Sequence, residues 1–256
     1  MKKFTDVTFT IPVKADSMSR ILNLATVLRY LTSHFQTNIM VAEQGSSSVL
    51  PQYLGNLADK IDYIFIQEES EYFHKTRLLN KMALKSDTRY LCSYDADVIA
   101  FPAKLISAYE LLECDAADMC FPYEGKVLNI ERNEIDSFYS HMDPTKLNTE
   151  IMKTLYPNVY GGALLMKREA FFEGGMENEK FINWGGEDDE RVTRFSKLGY
   201  RISRVTGPLL HLDHYRGENI GTENPNYTIN VSEYEKILNM EIDQLRAYIS
   251  SWVWMN

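Results

Sequence analysis

Two acidic clusters and one histidine pair have the residue types and spacing that suit chemistry. Asp95 and Asp97 stand two residues apart beside apolar residues on both sides, and alternate residues of an extended segment point the same way. Paired carboxylates suit Mg²⁺ or Mn²⁺, which take oxygen ligands and bridge to phosphates. A solvated loop or a helix cap is the alternative. The apolar flanks favour the metal, because acids close to a core need a cation partner.

The second acidic cluster is the run Trp184-Gly185-Gly186-Glu187-Asp188-Asp189-Glu190. Four consecutive acids repel one another, and the N-terminus of a helix offsets part of that cost. The glycines permit positive φ or the close approach of a ligand, and Trp184 offers a flat surface for stacking a sugar ring. An acidic helix cap beside a core tryptophan is the alternative. The density of acids favours a general base with a raised pKa.

Three further segments could complete such a site. His211 and His214 are three residues apart and could share one metal with the Asp pair, a mixed N/O set that modestly favours Mn²⁺; packed histidines are the alternative. The run 73–80 (FHKTRLLN) supplies local positive charge for phosphates, or only begins a surface helix. The run 160–162 (YGG) adds a flexible approach to the same face, or only a bulge at a strand end.

Composition limits the classes of protein that remain. The 256 residues predict one or two domains, and the 45% hydrophobic content excludes disorder. With 27 Lys+Arg against 36 Asp+Glu, the net charge of −9 disfavours nucleic acid and anionic membranes as partners. A phosphate compound would therefore be held by local cations, a metal or helix N-termini. The sequence contains no apolar run of 18 residues, so we expect no membrane-spanning segment. The first residues lack the apolar region of a signal peptide.

The three cysteines form no CxxC pair and no disulfide framework. Cys92, Cys114 and Cys120 are each predicted to be buried free thiols, which suits a reducing compartment. We therefore expect a cytoplasmic, bacterial-type protein, and peripheral association with a membrane stays open.

Hydrophobic periodicity predicts the elements that must position these residues. The predicted strands are Val7–Val13, Asn38–Ala42, Ile61–Ile66, Arg89–Tyr94, Asp118–Pro122, Val159–Met166 and Arg201–Val205. The predicted helices are Ser17–Phe35, Arg77–Lys85, Ala103–Glu113 after Pro102, Asp188–Leu198 and one long helix, Ser232–Ser250. Their alternation predicts an α/β fold with a mostly parallel sheet. Ligands bind such sheets at the carboxyl ends of the strands, where Asp16, Glu43 and the Asp95/Asp97 pair gather.

The motifs also resemble a known family in their order along the chain. They are Ile11-Pro12-Val13, Phe73 with Arg77-Leu78-Leu79-Asn80, Asp95-Ala96-Asp97, Tyr160-Gly161-Gly162, Trp184-Gly185-Gly186-Glu187-Asp188-Asp189 and His211 with His214. This order resembles the nucleotide-sugar-dependent glycosyltransferases of the GT-A fold. The nearest groups are the C-terminal region of the β-1,4-galactosyltransferases and the bacterial chondroitin-polymerase-like enzymes. The resemblance runs from about Thr8 to about Arg216, and the Trp-Gly-Gly-Glu-Asp-Asp string is its specific part.

The resemblance implies a fold and an activity. The fold is GT-A, a Rossmann-like α/β fold with a mostly parallel mixed central sheet flanked by helices. It would occupy residues 1–222, with residues 223–256 as a helical tail packed on the same domain. The activity is the metal-dependent transfer of a hexose or N-acetylhexosamine from a UDP-sugar to a sugar acceptor, with inversion, in polysaccharide biosynthesis. The cofactor would be Mn²⁺ or Mg²⁺, and the partners would be the UDP-sugar and the carbohydrate acceptor.

The resemblance also implies a role for each site residue. Donor and nucleotide binding falls to Pro12, Val13, Glu43, Arg77, Asp95, Gly161, Gly162 and Trp184. The metal ligands are Asp97 and His214, with Asp95 and His211 as further candidates. Asp188 is the catalytic base, Glu187 is a second catalytic residue that touches donor or acceptor hydroxyls, and Asp189 and Trp184 bind the acceptor. The chain departs from the family at His211, which stands about where a methionine ligand is expected. We also expect no stem or signal anchor of the kind that Golgi enzymes carry, which would suit a bacterial or cytosolic relative.

Three alternatives remain. Retaining transferases of similar fold carry a different residue after the Trp-Gly-Gly-Glu string, so Asp188 favours inversion. A nucleotidyltransferase would carry a glycine-rich basic signature after the first strand, where this chain has Lys14-Ala15-Asp16. A non-catalytic sugar-nucleotide-binding protein would not need Asp97, Asp188 and His214 together. If the protein is the inverting transferase, the six acids of the two clusters, Glu190 included, are expected mainly to bind the metal and the acceptor.

Overall fold

A computed structural model of the chain describes residues 2–214 and 224–255. The strands are β1 (Lys2–Val13), β2 (Phe35–Gly45), β3 (Asp62–Gln67), β4 (Tyr90–Tyr94), β5 (Val98–Ile99), β6 (Met119–Phe121), β7 (Val127–Ile130), β8 (Thr154–Tyr156), β9 (Ala163–Lys167), β10 (Ile202–Arg204) and β11 (Leu209–Leu212). The helices are α1 (Met18–His34), α2 (Pro51–Leu54), α3 (Lys75–Lys85), α4 (Pro102–Glu113), α5 (Arg132–His141), α6 (Arg168–Glu173), α7 (Glu187–Lys197), α8 (Tyr227–Leu238) and α9 (Ile242–Ser250). Ser17 caps α1 through its side chain.

A seven-stranded sheet forms the centre of the molecule, in the order β10-β6-β9-β4-β1-β2-β3. The strands β4, β1, β2 and β3 pair in parallel, whereas β9 runs antiparallel to both β4 and β6. The segment Val7–Val13 of β1 and the whole of β4 are continuously buried, as expected of strands covered on both faces. The predicted fold class, a mixed α/β sheet flanked by helices, is confirmed.

The direction of these strands determines which loops meet. The parallel strands β1, β2 and β4 present their carboxyl ends at one edge of the sheet, with Val13 opposite Glu43 in the register. The antiparallel strand β9 begins at that same edge, because Ala163 pairs with Tyr94. Gly161 and Gly162 therefore lie next to the loop that carries Asp95.

A second sheet, in the order β5-β11-β7-β8, extends the same edge. Its strand β5 comes directly after the Asp95-Ala96-Asp97 turn, and Val98 pairs with His211 of β11. The backbone N–H of Leu212 donates to the carbonyl of Asp97 at 2.8 Å. This short sheet thus brings together two motifs that are more than a hundred residues apart in the sequence.

The prediction of one long C-terminal helix is wrong. Helix α8 ends at Leu238, and a capping box between Glu241 and Gln244 starts α9 in a new direction. As a result Leu238 and Ile242, which one continuous helix would place on the same face as Ile237, Leu245 and Ile249, are exposed. The tail instead buries Ile237, Leu245, Ile249 and Trp252.

Two smaller corrections concern local predictions. The strand predicted from Val159 begins only at Ala163, because residues 159–162 form the turn that approaches the sheet edge. Cys92 and Cys120 are buried as expected, whereas Cys114 is exposed at the end of α4.

The C-terminal tail contacts the helix that bears the acidic run. The Arg194 guanidinium of α7 lies 5.1 Å from the ring centre of Trp252, and Thr193 lies within hydrogen-bonding distance of Tyr234. The predicted boundary between residues 222 and 223 falls outside the described residues, so the division into domain and tail stays a prediction. Among residues 2–214 and 224–255, no helix has the length and apolar character needed to cross a membrane.

Replacing Trp252 with alanine should destabilise the protein by about 3–5 kcal/mol, the usual cost of emptying a buried aromatic site. Urea unfolding followed by circular dichroism measures this. Val253→Ala is the matched control, since Val253 is 80% exposed and its truncation should cost no more than about 0.5 kcal/mol. Equal, small effects of the two changes would show that the tail does not stabilise the domain.

Candidate active site

One edge of the site is built from the turn after β4 and the end of β11. The Asp97 carboxylate accepts from His214 Nε2 at 3.0 Å, and His211 Nε2 lies 3.9 Å from it. The two imidazole rings are tilted with their centres 5.2 Å apart. The three side chains are largely buried, and their candidate ligand atoms all lie within 4.8 Å of one another.

The donor set of this cluster fits a divalent cation. One carboxylate and two imidazoles form a mixed N/O set of the kind that suits Mn²⁺ better than Mg²⁺. Burial would raise the pKa of Asp97, but its bond to His214 and the charge of His211 outweigh burial and hold that pKa well below its usual range. Asp95 lies outside this cluster and contacts a lysine instead.

The opposite side of the site is the first turn of α7. Gly185 and Gly186 both have positive φ, at 115° and 88°, a conformation that glycine adopts at no steric cost. Their turn places Glu187 and Asp188 at the start of the helix. A Cβ at Gly161 would lie 2.6 Å from Asp188 Oδ2, so glycine at that position permits the close approach of the loop before β9 to this carboxylate.

Lys75 joins the two sides. Its ammonium Nζ lies 3.1 Å from Asp95 Oδ1, 3.7 Å from Glu187 and 3.9 Å from Asp188 Oδ2. Burial disfavours its charge, but the three carboxylates outweigh burial and hold the pKa of Lys75 well above its ordinary value. Sequence reasoning missed this residue and chose Arg77 from the same run. The missed signal was the boundary of α3, which begins at Lys75.

The pKa values of the acidic run differ from expectation. Burial and the charge of Asp188 raise the pKa of Glu187 to about 7. Burial also acts on Asp188, but Lys75 and Arg191 more than offset it and lower the pKa of Asp188. The expectation of a raised pKa for the base Asp188 is therefore wrong, because these two cations neutralise the repulsion of its acidic neighbours.

Arg191 is a second cation that sequence reasoning missed. It donates a short hydrogen bond from Nη2 to Asp188 Oδ1, and its Nε lies 3.2 Å from Glu177 Oε1. Both Arg191 and Glu177 are almost fully buried, at 2% and 1% exposure. Its spacing of three residues from Asp188 on a helix was the available signal.

Other predicted residues have different surroundings. Arg77 pairs with Glu68 at 2.6 Å. The buried Glu43 accepts from the N–H groups of Val49 and Leu50 and from the Tyr63 hydroxyl, and so holds the loop after β2. The expectation that Glu190 serves metal or acceptor is wrong, because it is fully buried.

The remaining predicted residues lie at the edge of the site or at its surface. Pro12 and Val13 are buried at the end of β1. Trp184 is 45% exposed, and its carbonyl accepts from Asn224 and Asn230 of the tail. Asp189 is exposed beside Asp188. These placements leave the assigned donor and acceptor roles as predictions.

Comparison with known proteins points to one class. The family described as the N-terminal domain of galactosyltransferase matches residues 145–216, which include the Trp184 run and both histidines. No curated protein matches the sequence significantly. The fold is similar to that of the catalytic domain of Drosophila β-1,4-galactosyltransferase 7 in complex with xylobiose. That match has a TM-score of 0.56 and 16% identity over 95% of this chain and 84% of the other. These findings confirm the predicted resemblance and support a glycosyltransferase.

The raised pKa of Glu187 predicts how stability depends on pH. Between pH 4.5 and about 7 the folded protein holds a proton on Glu187 that the unfolded chain has released. Stability therefore falls as the pH rises through this window. Relative to Glu187→Gln, which cannot release that proton, the wild-type free energy of unfolding should decline across the window and level off above it.

Urea titrations of wild type and variant at several pH values measure this difference. Glu110→Gln is the control, because it removes one exposed glutamate from α4. A difference between wild type and Glu187→Gln that stays constant with pH would contradict the raised pKa.

Proposed function

We propose that the protein is a metal-dependent, inverting glycosyltransferase that moves a hexose or N-acetylhexosamine from a UDP-sugar to a sugar acceptor. The observation that carries this proposal is that a candidate metal site and an ionised carboxylate lie at the same edge of the sheet. A metal-ligand cluster of Asp97, His211 and His214 lies on one side, and the ionised Asp188 begins a helix on the other. Lys75 contacts carboxylates of both sides.

Asp97 and His214, with His211, would hold Mn²⁺ or Mg²⁺. When bound, the cation supplies Lewis-acid neutralisation of the charge on the leaving diphosphate. The cluster suits this role in an acidic chain, where bulk charge repels phosphate and a local cation must overcome that repulsion. Asp95, next to Lys75, would face the donor sugar or ribose, with Gly161 and Gly162 permitting its approach.

Asp188 would act as the general base. Its lowered pKa keeps the carboxylate ionised at neutral pH, so it can accept the proton of the acceptor hydroxyl as that oxygen attacks C1 of the donor sugar. The bond from C1 to the phosphate oxygen breaks in the same step, and its electron pair leaves with UDP. A single displacement of this kind inverts the configuration at C1.

Trp184 and Asp189 would contact the acceptor. The exposed indole of Trp184 offers an apolar face beside the start of α7, and Asp189 presents a carboxylate to solvent one residue after the base. The xylobiose in the structurally similar galactosyltransferase 7 supports a sugar as the acceptor. The identity of the donor sugar depends on a few contacts, and UDP-galactose, UDP-glucose and their N-acetylamino forms are the donors to screen.

Mn²⁺ and UDP together should raise the melting temperature by more than the sum of their separate effects, because ligands that bind only the folded state stabilise it and a cation held by Asp97 and His214 would attract the negatively charged diphosphate. Asp97→Asn should abolish the contribution of Mn²⁺. Asp213→Asn is the matched control, since Asp213 stands between the two histidines yet is not part of the cluster. An unchanged response of Asp97→Asn would contradict the metal assignment.

Asp188→Asn should lower kcat by about 10²-fold or more, the usual contribution of a general base, and should leave UDP binding intact. Glu110→Gln is the control, because it neutralises one exposed acid of α4 that has no assigned role in the site and should keep the wild-type kcat. A donor screen with product detection, with and without EDTA, measures turnover. NMR of the product determines its anomeric configuration, and retention would favour the retaining alternative.

Two results would favour a different function. Binding of UDP-sugar without transfer to any acceptor in the screen would indicate a non-catalytic binding protein. Release of pyrophosphate from a nucleoside triphosphate and a sugar phosphate would indicate a nucleotidyltransferase.

A further inference from the structure

We propose that Arg191, fixed by the buried Glu177, is a positioning residue that holds one oxygen of Asp188 and leaves the other as the reacting oxygen. This inference rests on the proposed function, in which Asp188 is the base. It gives a function to Glu177 and Arg191, two buried charged residues that have no other part in the proposed mechanism.

The geometry divides the two oxygens of Asp188. Oδ1 accepts the hydrogen bond from Arg191 Nη2. Oδ2 points to the other side, where it lies 3.9 Å from Lys75 Nζ and faces the backbone of Gly161. An acceptor hydroxyl can therefore deliver its proton to Oδ2, whereas Oδ1 is occupied by the guanidinium.

The Glu177 carboxylate helps to hold Arg191 in place. The Glu177 carboxylate lies 3.2 Å from Arg191 Nε, and the Glu177 backbone is fixed on both sides by the Asn80 side chain, at 2.8 Å to its N–H and 2.9 Å to its carbonyl. Asn80 belongs to α3, the helix that begins with Lys75. The same helix thus fixes both cations that contact Asp188.

A purely structural role is the competing explanation, and α7 contains a matched example of it. One turn further along, Arg194 pairs with Glu190, both fully buried. Arg194 also donates to the carbonyls of Gly174 and Met176. That pair fixes the helix to the loop before it and has no described contact with Asp188. Breaking either pair should destabilise the fold, but only the Arg191 pair should affect the base.

The charged and titratable groups around Asp188 must all be considered when its titration is measured. Among residues 2–214 and 224–255 they are Lys75 of α3, Asp95 after β4, Tyr123, Glu177, and Glu187, Asp189 and Arg191 of α7. Removal of Arg191 leaves Lys75 as the remaining cation, so the pKa of Asp188 should rise without reaching that of an isolated buried acid.

The kinetic experiment compares Arg191→Gln with Arg194→Gln, each corrected for its folded fraction. We expect Arg191→Gln to lower kcat at least tenfold, with the KM for the donor little changed. A base that is displaced by about 1 Å can lower the rate by up to about 10²-fold. The acidic limb of its pH–rate profile should move to higher pH. Arg194→Gln should keep the wild-type kcat and profile.

A double-mutant cycle tests the link to Glu177. Glu177→Gln should cause a smaller loss of kcat alone and no further loss in the Arg191→Gln background, because it acts only through Arg191. The double variant also avoids an unpaired buried charge, so it serves if Arg191→Gln folds poorly. Arg191→Lys should restore part of kcat, since a lysine keeps the positive charge beside Asp188 but lacks the planar fork with which Arg191 contacts both Asp188 and Glu177. Wild-type kcat in folded Arg191→Gln, or equal losses in Arg191→Gln and Arg194→Gln, would overturn the proposal.

A measurement without substrate separates this proposal from the proposed function. The ¹³C carboxyl resonance of Asp188, assigned with Asp188→Asn, is titrated in wild type and in Arg191→Gln. If no donor yields product, the transferase proposal fails, and the titration still tests the contact. A raised pKa of Asp188 in Arg191→Gln supports the positioning role of Arg191, and an unchanged pKa overturns it.

Discussion

The site depends on one buried ammonium group. Asp95, Glu187 and Asp188 come from two distant parts of the chain, and three partly buried carboxylates would repel one another without a cation between them. Lys75 supplies that cation, and its ammonium group, a compact charge with three donors on a flexible stem, contacts all three carboxylates. The loop after β4 and the first turn of α7 can therefore lie together.

Backbone contacts hold this arrangement without relying on charge alone. The N–H of Asn183 donates to the carbonyl of Phe73 at 2.8 Å, and Asn80 clamps Glu177. Both contacts tie α3 to the segment that leads into α7, so the ammonium and the carboxylates are mounted on elements that are fixed to each other. The charged groups of the site are thus positioned by hydrogen bonds of the backbone as well as by ion pairs.

The second sheet was not predicted, although its strand β11 carries His211. The strands of the central sheet, and the grouping of Asp97 with the two histidines, could be predicted from the sequence. The choice between Lys75 and Arg77 could not. Side chains two positions apart on a helix point about 200° apart, so Lys75 and Arg77 face opposite sides of α3. The position at which α3 begins therefore determines which of the two cations contacts the acids. The role of Arg191 could be predicted only in part. Its spacing of three residues from Asp188 indicates a contact within a helix, whereas its contact with Glu177 depends on tertiary packing.

The four consecutive acids of α7 are not one cluster. Successive residues of a helix point about 100° apart, so each side chain meets a different environment. Glu187 is buried against Lys75 with its pKa raised to about 7, Asp188 is held between two cations, Asp189 is exposed, and Glu190 pairs with Arg194 in the interior. The run survives beside the core because each of its buried or partly buried acids lies near a cation: Glu190 pairs with Arg194, Asp188 with Arg191, and both Asp188 and Glu187 lie near Lys75. Two of these four charges therefore contribute little to the repulsion that the net charge of −9 would exert on a phosphate ligand. Glu190 is compensated by a guanidinium, and Asp188 is compensated by Arg191 and Lys75.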